Sequence, residues 1–402
     1  MKKTIAFAAL AATLLSGTAF AQEKTIRIGN LSDQSGLYAD ATGGGSTIAA
    51  RLAVEDSGLL AKGWKIEVIA GDHQNKADIG TNIARQWYDV DKVDLIVDTP
   101  NSGVALAVST LTKEKNKVFL NSGAATSDLS GKACSPNTIH WTYDTYALAN
   151  GTGKAIVKNG GDSWFFLTAD YAFGHALERD TSAVVEANGG KVVGKVRHPI
   201  NSPDFSSYLL QAQSSKAKIV GLANAGGDTT NSIKQAAEFG ITSGGQKLAA
   251  LLLFITDVHA LGLNVAQGLT FTESFYWDMN DGTRAFSERF GKQKSGSKPT
   301  MVQAGVYSAV RHYLKAAEAL GSVTDGAKVV AKMKETPTDD ALFGKGSIRP
   351  DGRKLHPVYL FEVKKPSESK GPWDYYKQMG VIPAEEAFRP MDKGDCPMVA
   401  AK

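Results

Sequence analysis

"VDLIVDTPNSGVALAVSTLTKEKNKVFLNSGAATSDLSG", residues 93–131, contains two short apolar runs, a helix-length stretch between them and two loops that leave the run ends. "VDLIVD" (93–98) and "KVFLN" (117–121) have the length of buried strands, and Val104 to Asn116 fits a helix. Parallel strands need such a crossover to join them, so the stretch reads as one unit of a parallel α/β sheet. The loops are small and polar. From Asn121 to Ser127 no side chain exceeds an asparagine in size, so the backbone there is open to close approach.

The same rhythm extends in both directions. "TIRIGNL" (25–31), a helix over 46–57, "KIEVIA" (65–70) and a helix near 77–89 precede the stretch. "IHWTYDTYALANG" (139–151) breaks the alternation with aromatics, and the series then restarts with "SWFFLTAD" (163–170). The next helix carries Leu177, Thr181, Val184 and Val185 on one face and ends at Gly189-Gly190. "KVVGKVRH", "AKIVGLA" and "KLAALLLFI" (247–255) continue it, with a helix over 229–239 closed by Gly240. A second sheet of similar size follows from this. In the last third, "GLTFTESFYW" (268–277) and "LHPVYLFEVKK" (355–365) read as strands, and 299–321 reads as a long helix. No flexible linker separates the halves, so several segments are expected to cross between two lobes as a hinge.

The 402 residues, 43% apolar and 21% charged with a formal charge of +4, are ordinary globular composition and enough for two domains. Lys and Arg are scattered, which argues against a nucleic-acid partner. Lys2 and Lys3, the apolar run Ile5–Leu15 and Ala19-Phe20-Ala21 form an export signal over 1–21, too short to span a bilayer. The protein is therefore expected to be periplasmic. Export gives the two cysteines an oxidising compartment; Cys134 and Cys396 either pair, tying the C-terminal tail to the loop after Gly131, or remain free thiols. The seven histidines never fall at metal-ligand intervals. There is no G-x-S-x-G, P-loop or H-E-x-x-H, and "NGTGKAIV" lacks the third glycine of a dinucleotide fingerprint. Neither a cofactor nor an enzyme activity is expected.

The sequence does supply small polar loops after its strands: "SDQSGLYADATGGG", "DTPNSG", "NSGAATSD", "ADYAFG" and "ANAGGDTTN". In open α/β sheets ligands bind outside the carboxyl ends of strands, where the following helices aim their N–H groups. Across nearly the whole mature length, from "IRIGNLSDQSGLYADATG" through "SGVALAV", "NSGAATSDLSG" and "ADYAFG" to "IKQAAEFGI", the chain resembles the type I periplasmic solute-binding proteins of ABC importers, in the leucine/isoleucine/valine-binding branch.

The resemblance implies two Rossmann-like lobes joined by three crossovers, near Trp141–Tyr146, Thr270–Tyr276 and Arg349–His356. It implies a first lobe of 22–142 plus 275–350, a second of 143–274 plus 351–385, and a tail of 386–402. It also implies a monomer that captures a small carboxylate-bearing solute and delivers it to an inner-membrane permease. Ser102 and Gly103 correspond to the first carboxylate-holding loop, and Gly123, Ala124 and Thr126 to the second. Tyr171 corresponds to the tyrosine that closes from the other lobe, Asp228 to the acid for a substrate ammonium, and Tyr38 and Tyr276 to aromatic walls. Simpler roles stay open: Ser122 and Thr126 as helix caps, Asp228 as a cap before Thr229, Tyr171 as lobe packing, and Trp141, Tyr143 and Tyr146 as hinge packing. Two departures stand out. Asp33-Gln34 replaces the usual proline before the first Ser-Gly, and Asp98-Thr99-Pro100 replaces the usual Gly-Pro. These acids leave an aromatic acid, an amide or another amino acid as open as leucine. A sensor subunit and a periplasmic enzyme are the competing readings.

Overall fold

A computed structural model describes residues 24–399; the signal read at 1–21 lies outside the described residues. β1 (Thr25–Ser32), β2 (Lys65–Asp72), β3 (Leu95–Asp98), β4 (Val118–Asn121) and β5 (Thr138–His140) form a parallel sheet in the order β2-β1-β3-β4-β5. β6 (Ser163–Ala169), β7 (Lys191–His198), β8 (Ile219–Ala223) and β9 (Lys247–Ala250) form a second, in the order β7-β6-β8-β9. β3, β4, β6 and β8 are buried along their whole length, which is why they read as unbroken apolar runs. In both sheets the order reverses beside the first strand, between β1 and β3 and between β6 and β8. Those two switch points are where such sheets open a crevice at their carboxyl ends.

Among the described residues six further strands follow: β10 (Thr270–Glu273), β11 (Thr338–Asp340), β12 (Gly344–Ile348), β13 (Lys354–Leu355), β14 (Val358–Val363) and β15 (Tyr376–Ile382). β10, β14 and β15 pair antiparallel, as do β11, β12 and β13. The apolar run at 247–255 is not one strand: it leaves the sheet after Ala250, and a helix starts at Ile255. The strand read over 268–277 likewise ends at Glu273.

The α/β class with two parallel sheets is as the sequence implies. The chain passes between the two sheet bodies after β5, after β10 and between β12 and β14. The first and last passages lie side by side. His140 N–H donates to the Gly352 carbonyl at 2.9 Å, and the Arg353 guanidinium donates to the Tyr143 carbonyl at 3.0 Å. Trp141 Nε1–H donates to Ser308 Oγ at 3.0 Å, fastening the first passage to the helix Met301–Leu320. Lys354 is buried here, its ammonium 5.1 Å from the Trp141 ring centroid and 4.7 Å from that of Phe343.

Cys134 and Cys396 are joined by a disulfide across 262 residues of sequence. Arg389 supports the tail beside it by donating to the Ser127 carbonyl at 3.1 Å. A bridge closing so long a loop stabilises mainly by restricting the unfolded chain, by about 2–5 kcal/mol. Cys396→Ser is therefore expected to lower the urea midpoint by a corresponding amount; a midpoint equal to that of the oxidised parent would refute a stabilising role. Among the described residues no helix is long and apolar enough to cross a membrane.

Candidate functional site

The two switch points face each other. From the first sheet, the loop after β1 supplies Tyr38, Ala41 and Thr42, and the loops after β3 and β4 supply Pro100, Gly123 and Ala125. From the second, Tyr171 and Phe173 follow β6, Ala225 follows β8, and Leu252 and Phe254 follow β9. Tyr143, on the first passage, is a lining residue as well. Together they wall a narrow, nearly closed cavity of about 10 Å³, room for no more than a water molecule, so a solute enters only when the two walls part. Its walls are aromatic and aliphatic, and among the described residues no Lys, Arg or His lines it.

The Tyr38 and Tyr171 hydroxyl oxygens meet across the cleft at 2.6 Å. Burial holds both phenols well above their ordinary pKa, with mutual repulsion adding at Tyr38, so both remain protonated. Asp33 shapes the loop that presents Tyr38. Its Oδ1 accepts the Gly36 N–H at 2.8 Å, and its Oδ2 accepts the Tyr38 N–H at 2.9 Å and the Asn75 side-chain amide at 2.6 Å. The acid that stands where the resemblance implies a proline thus makes the turn by hydrogen bonding. Opposite it, Gly226 sits at φ 58°, and a Cβ there would come within 2.6 Å of the Leu37 carbonyl oxygen. Only glycine lets the two loops approach so closely.

The remaining residues singled out in the sequence are distributed unevenly. Tyr38, Gly123 and Tyr171 line the cavity; Ser102, Gly103, Ala124 and Thr126 adjoin its first-sheet wall. The N–H groups expected to hold a carboxylate are engaged locally. Gly103 N–H donates to Asn101 Oδ1 at 3.0 Å, Ala124 N–H to Asn121 Oδ1 at 3.1 Å, and Thr126 N–H to Ser102 Oγ at 3.2 Å. Ser102 and Thr126 each accept a backbone N–H, which leaves their own hydroxyl protons for donation.

Asp228 lies in the first turn of the helix Gly227–Glu238, close enough to raise the pKa of both cleft tyrosines. Its two oxygens accept the Asn201 and Ser202 N–H groups, each at 3.0 Å. Burial pushes its pKa up to about 6 against those two bonds. Tyr276 is not brought to the cavity: its hydroxyl donates to the Trp373 carbonyl at 3.0 Å, and its ring stacks on Tyr376. Sequence reasoning missed Phe173, Leu252 and Phe254. The last two were hidden inside an apolar run that looked like continuous strand, and the signal was its length, longer than its neighbours in the sheet.

Asp98, the second departure, ends β3 with no exposed surface. Neither carboxylate oxygen accepts a well-formed hydrogen bond among the described residues, and the Ser46 hydroxyl is the one side-chain donor beside them. A Cβ at Gly123 would fall 2.5 Å from Asp98 Oδ1 and 2.8 Å from Pro100 Cα, so glycine is required there to admit the carboxyl group. Burial pushes the Asp98 pKa up to about 7; nearby Asp33 adds to the rise and the Ser46 hydroxyl opposes it.

Residues 25–371 match the model of a family described as periplasmic binding protein. A periplasmic binding protein from Burkholderia mallei is 53% identical, with 93% of this chain and 99% of that chain covered at a TM-score of 0.91. A branched chain amino acid ABC transporter periplasmic ligand-binding protein from Burkholderia xenovorans LB400 is 41% identical, with coverage of 93% and 99% and a TM-score of 0.82. A Leu/Ile/Val-binding protein homolog 6 from Brucella melitensis biotype 1 is 27% identical over 269 residues, 65% of this chain and 67% of the relative.

Proposed function

The chain belongs to the periplasmic binding protein family, and from that premise we propose that it is the solute receptor of an ABC importer, capturing a small carboxylate-bearing solute between two lobes and handing it to the inner-membrane permease. The observation that carries this reading is the pair of hydroxyls, Tyr38 and Tyr171, that meet across a cavity built where both sheets reverse their strand order. In this reading the first lobe comprises 22–142 and 275–350, the second 143–274 and 351–385, and 386–402 is a tail. Hydroxyl donors at Ser102 and Thr126 serve the carboxylate, with Gly103, Gly123 and Ala124 giving it room. The walls supplied by Tyr38, Tyr171, Phe173 and Phe254 set a preference for an apolar or aromatic body, such as that of a larger amino acid or an aromatic acid.

The mechanism needs no covalent chemistry. A solute resting on one lobe gains the contacts of the other only in the closed arrangement, so it shifts the open-to-closed equilibrium by its differential affinity for the closed form. A micromolar solute corresponds to about −8 kcal/mol, which a few charge-assisted hydrogen bonds and one buried ring supply. The permease then recognises the closed form.

Thermal-shift screening of protein refolded from denaturant, against amino acids, aromatic acids, amides and small diamines, tests the reading; failure of every solute to raise the midpoint would count against it. With the best solute, Tyr171→Phe is expected to weaken binding about fivefold through loss of one cross-cleft hydrogen bond of about 1 kcal/mol. Asp228→Asn tests the ammonium role proposed for Asp228. Affinity retained within about twofold would remove that role and leave Asp228 as the group that holds the turn at Asn201 and Ser202.

A further inference from the structure

Of the two buried acids near the cleft, Asp228 has both oxygens engaged by backbone N–H groups, whereas Asp98 accepts no backbone N–H and has only the Ser46 hydroxyl beside it among the described residues. Asp98 stands behind Gly123 and Pro100, which line the cavity, and near enough to the lining Tyr143 to repel its phenolate. The cavity-lining residues offer no cation to pair with it. A buried acid with so little to pair it is a costly arrangement, because the group loses more from water than one neighbouring hydroxyl returns. The backbone around it is costly too. Asp98 and Thr99 are consecutive non-glycine residues at φ 76° and 57°, a conformation L-residues adopt sparingly and one that clusters at ligand sites. The Thr99 and Ser122 side-chain oxygens, at the ends of the same two strands, are also buried without partners. Polar capacity is thus concentrated directly behind the wall that Pro100 and Gly123 give an otherwise apolar cavity.

We propose that Asp98 is the specificity-determining acid of the cleft, accepting a hydrogen bond from a donor group of the solute: an ammonium, a hydroxyl or an amide N–H. This rests on the receptor reading above and adds the second end of the solute to it. The solute is then bifunctional, with a carboxylate at the hydroxyls of Ser102 and Thr126 and a donor at Asp98, its body lying against the tyrosine walls. The three donor types differ in what they do to the carboxyl proton. An ammonium pairs with the ionised acid and so drives a proton off Asp98 on binding; a hydroxyl or amide does not.

Matched probes separate the donor from the rest of the solute: L-phenylalanine against 3-phenylpropanoate, and 4-hydroxybenzoate against benzoate. Titration calorimetry on the full mature chain is expected to show Asp98→Ala weakening the donor-bearing member of the bound pair at least tenfold and its partner less than twofold. Asp98→Asn, which keeps the shape and one acceptor oxygen, serves if the alanine variant does not fold; it is expected to lose an ammonium probe strongly and a hydroxyl probe weakly. Repeating the titration in two buffers of different ionisation enthalpy reads the proton released, expected near one for an ammonium at low pH and near zero for a hydroxyl. If the wild type binds a pair but the ratio of affinities within it is the same in the Asp98 variants, the assignment of Asp98 is wrong and the receptor reading stands. If the wild type binds neither pair, the bifunctional solute is wrong and Asp98 falls with it.

Discussion

Asp98→Asn is expected to stabilise the unliganded protein by about 4 kcal/mol at pH 7 and to change its stability little at pH 4. The effect follows from a carboxyl whose pKa rises from 3.8 in the unfolded chain to about 7 in the folded one, chiefly through burial. Each unit of that rise is worth about 1.4 kcal/mol. A raised folded pKa means that the folded state holds its proton where the unfolded state has lost it. Stability attributable to Asp98 is therefore whole below pH 3.8 and drains away as the pH rises through about 7. The groups that face it are Asp33 from the loop after β1, Ser46 from the helix Gly43–Asp56 and Tyr143 from the first passage, none of them cationic. Asparagine is neutral at every pH and nearly isosteric. Urea unfolding of both proteins at pH 4, 5.5, 7 and 8 is expected to give curves that coincide in acid and separate towards neutrality. A constant offset between them across that range would mean that the carboxyl is solvated or paired in solution. Such a gain in stability is what an acid retained for binding rather than for folding predicts.

A second large effect is expected within the hinge, where the first and last passages adjoin. Lys354→Met should stabilise the protein by about 4 kcal/mol at pH 7, and the gain should vanish near pH 10.5. Burial pulls the Lys354 pKa from 10.5 down to about 7, with Asp340 opposing and Arg353 reinforcing the fall. Here the folded pKa is lowered, so the unfolded chain binds the extra proton between those two values. Stability due to this group is present above pH 10.5 and lost as the pH falls through about 7. The ammonium has no hydrogen-bond partner among the described residues, only the faces of Trp141 and Phe343. Those cation–π contacts offset part of the cost, by about 1–2 kcal/mol. Methionine keeps the length of the side chain and packs well against rings. Denaturant midpoints at pH 7 and pH 10 decide the matter: a methionine variant less stable than the parent at pH 7 would show that the rings and Asp340 more than compensate the buried charge.

The parallel core was legible in the sequence because strands covered on both faces must be apolar throughout, and β3, β4, β6 and β8 are. β15 escaped because it is largely exposed, and "YKQMGVI" carries no apolar run to mark it. The small sheet of β11, β12 and β13 escaped for want of length, its strands having two to five residues. Within the site, Tyr38, Gly123 and Tyr171 were legible because each lies in a strand-end loop whose composition is itself unusual. What no sequence displays is which donors a loop has already spent on itself. Asn101 takes the Gly103 N–H, Asn121 takes that of Ala124 and Ser102 takes that of Thr126, and each bond depends on a turn whose shape emerges only when the strands are placed. The same holds for the acids: Asp228 and Asp98 look equally available as letters, yet one is tied by two amides and the other by none.

The bridge between Cys134 and Cys396 also sets how the molecule carries mechanical load. Force applied through the two ends of the chain enters at β1 and leaves by the tail, and the sulfur–sulfur link joins those routes directly at residue 134. The 261 residues between the two cysteines then lie outside the tensile path. That shielded span contains the second sheet and all three passages between the sheets, so an oxidised molecule pulled by its ends would yield first in β1 to β4, with the hinge unloaded and intact.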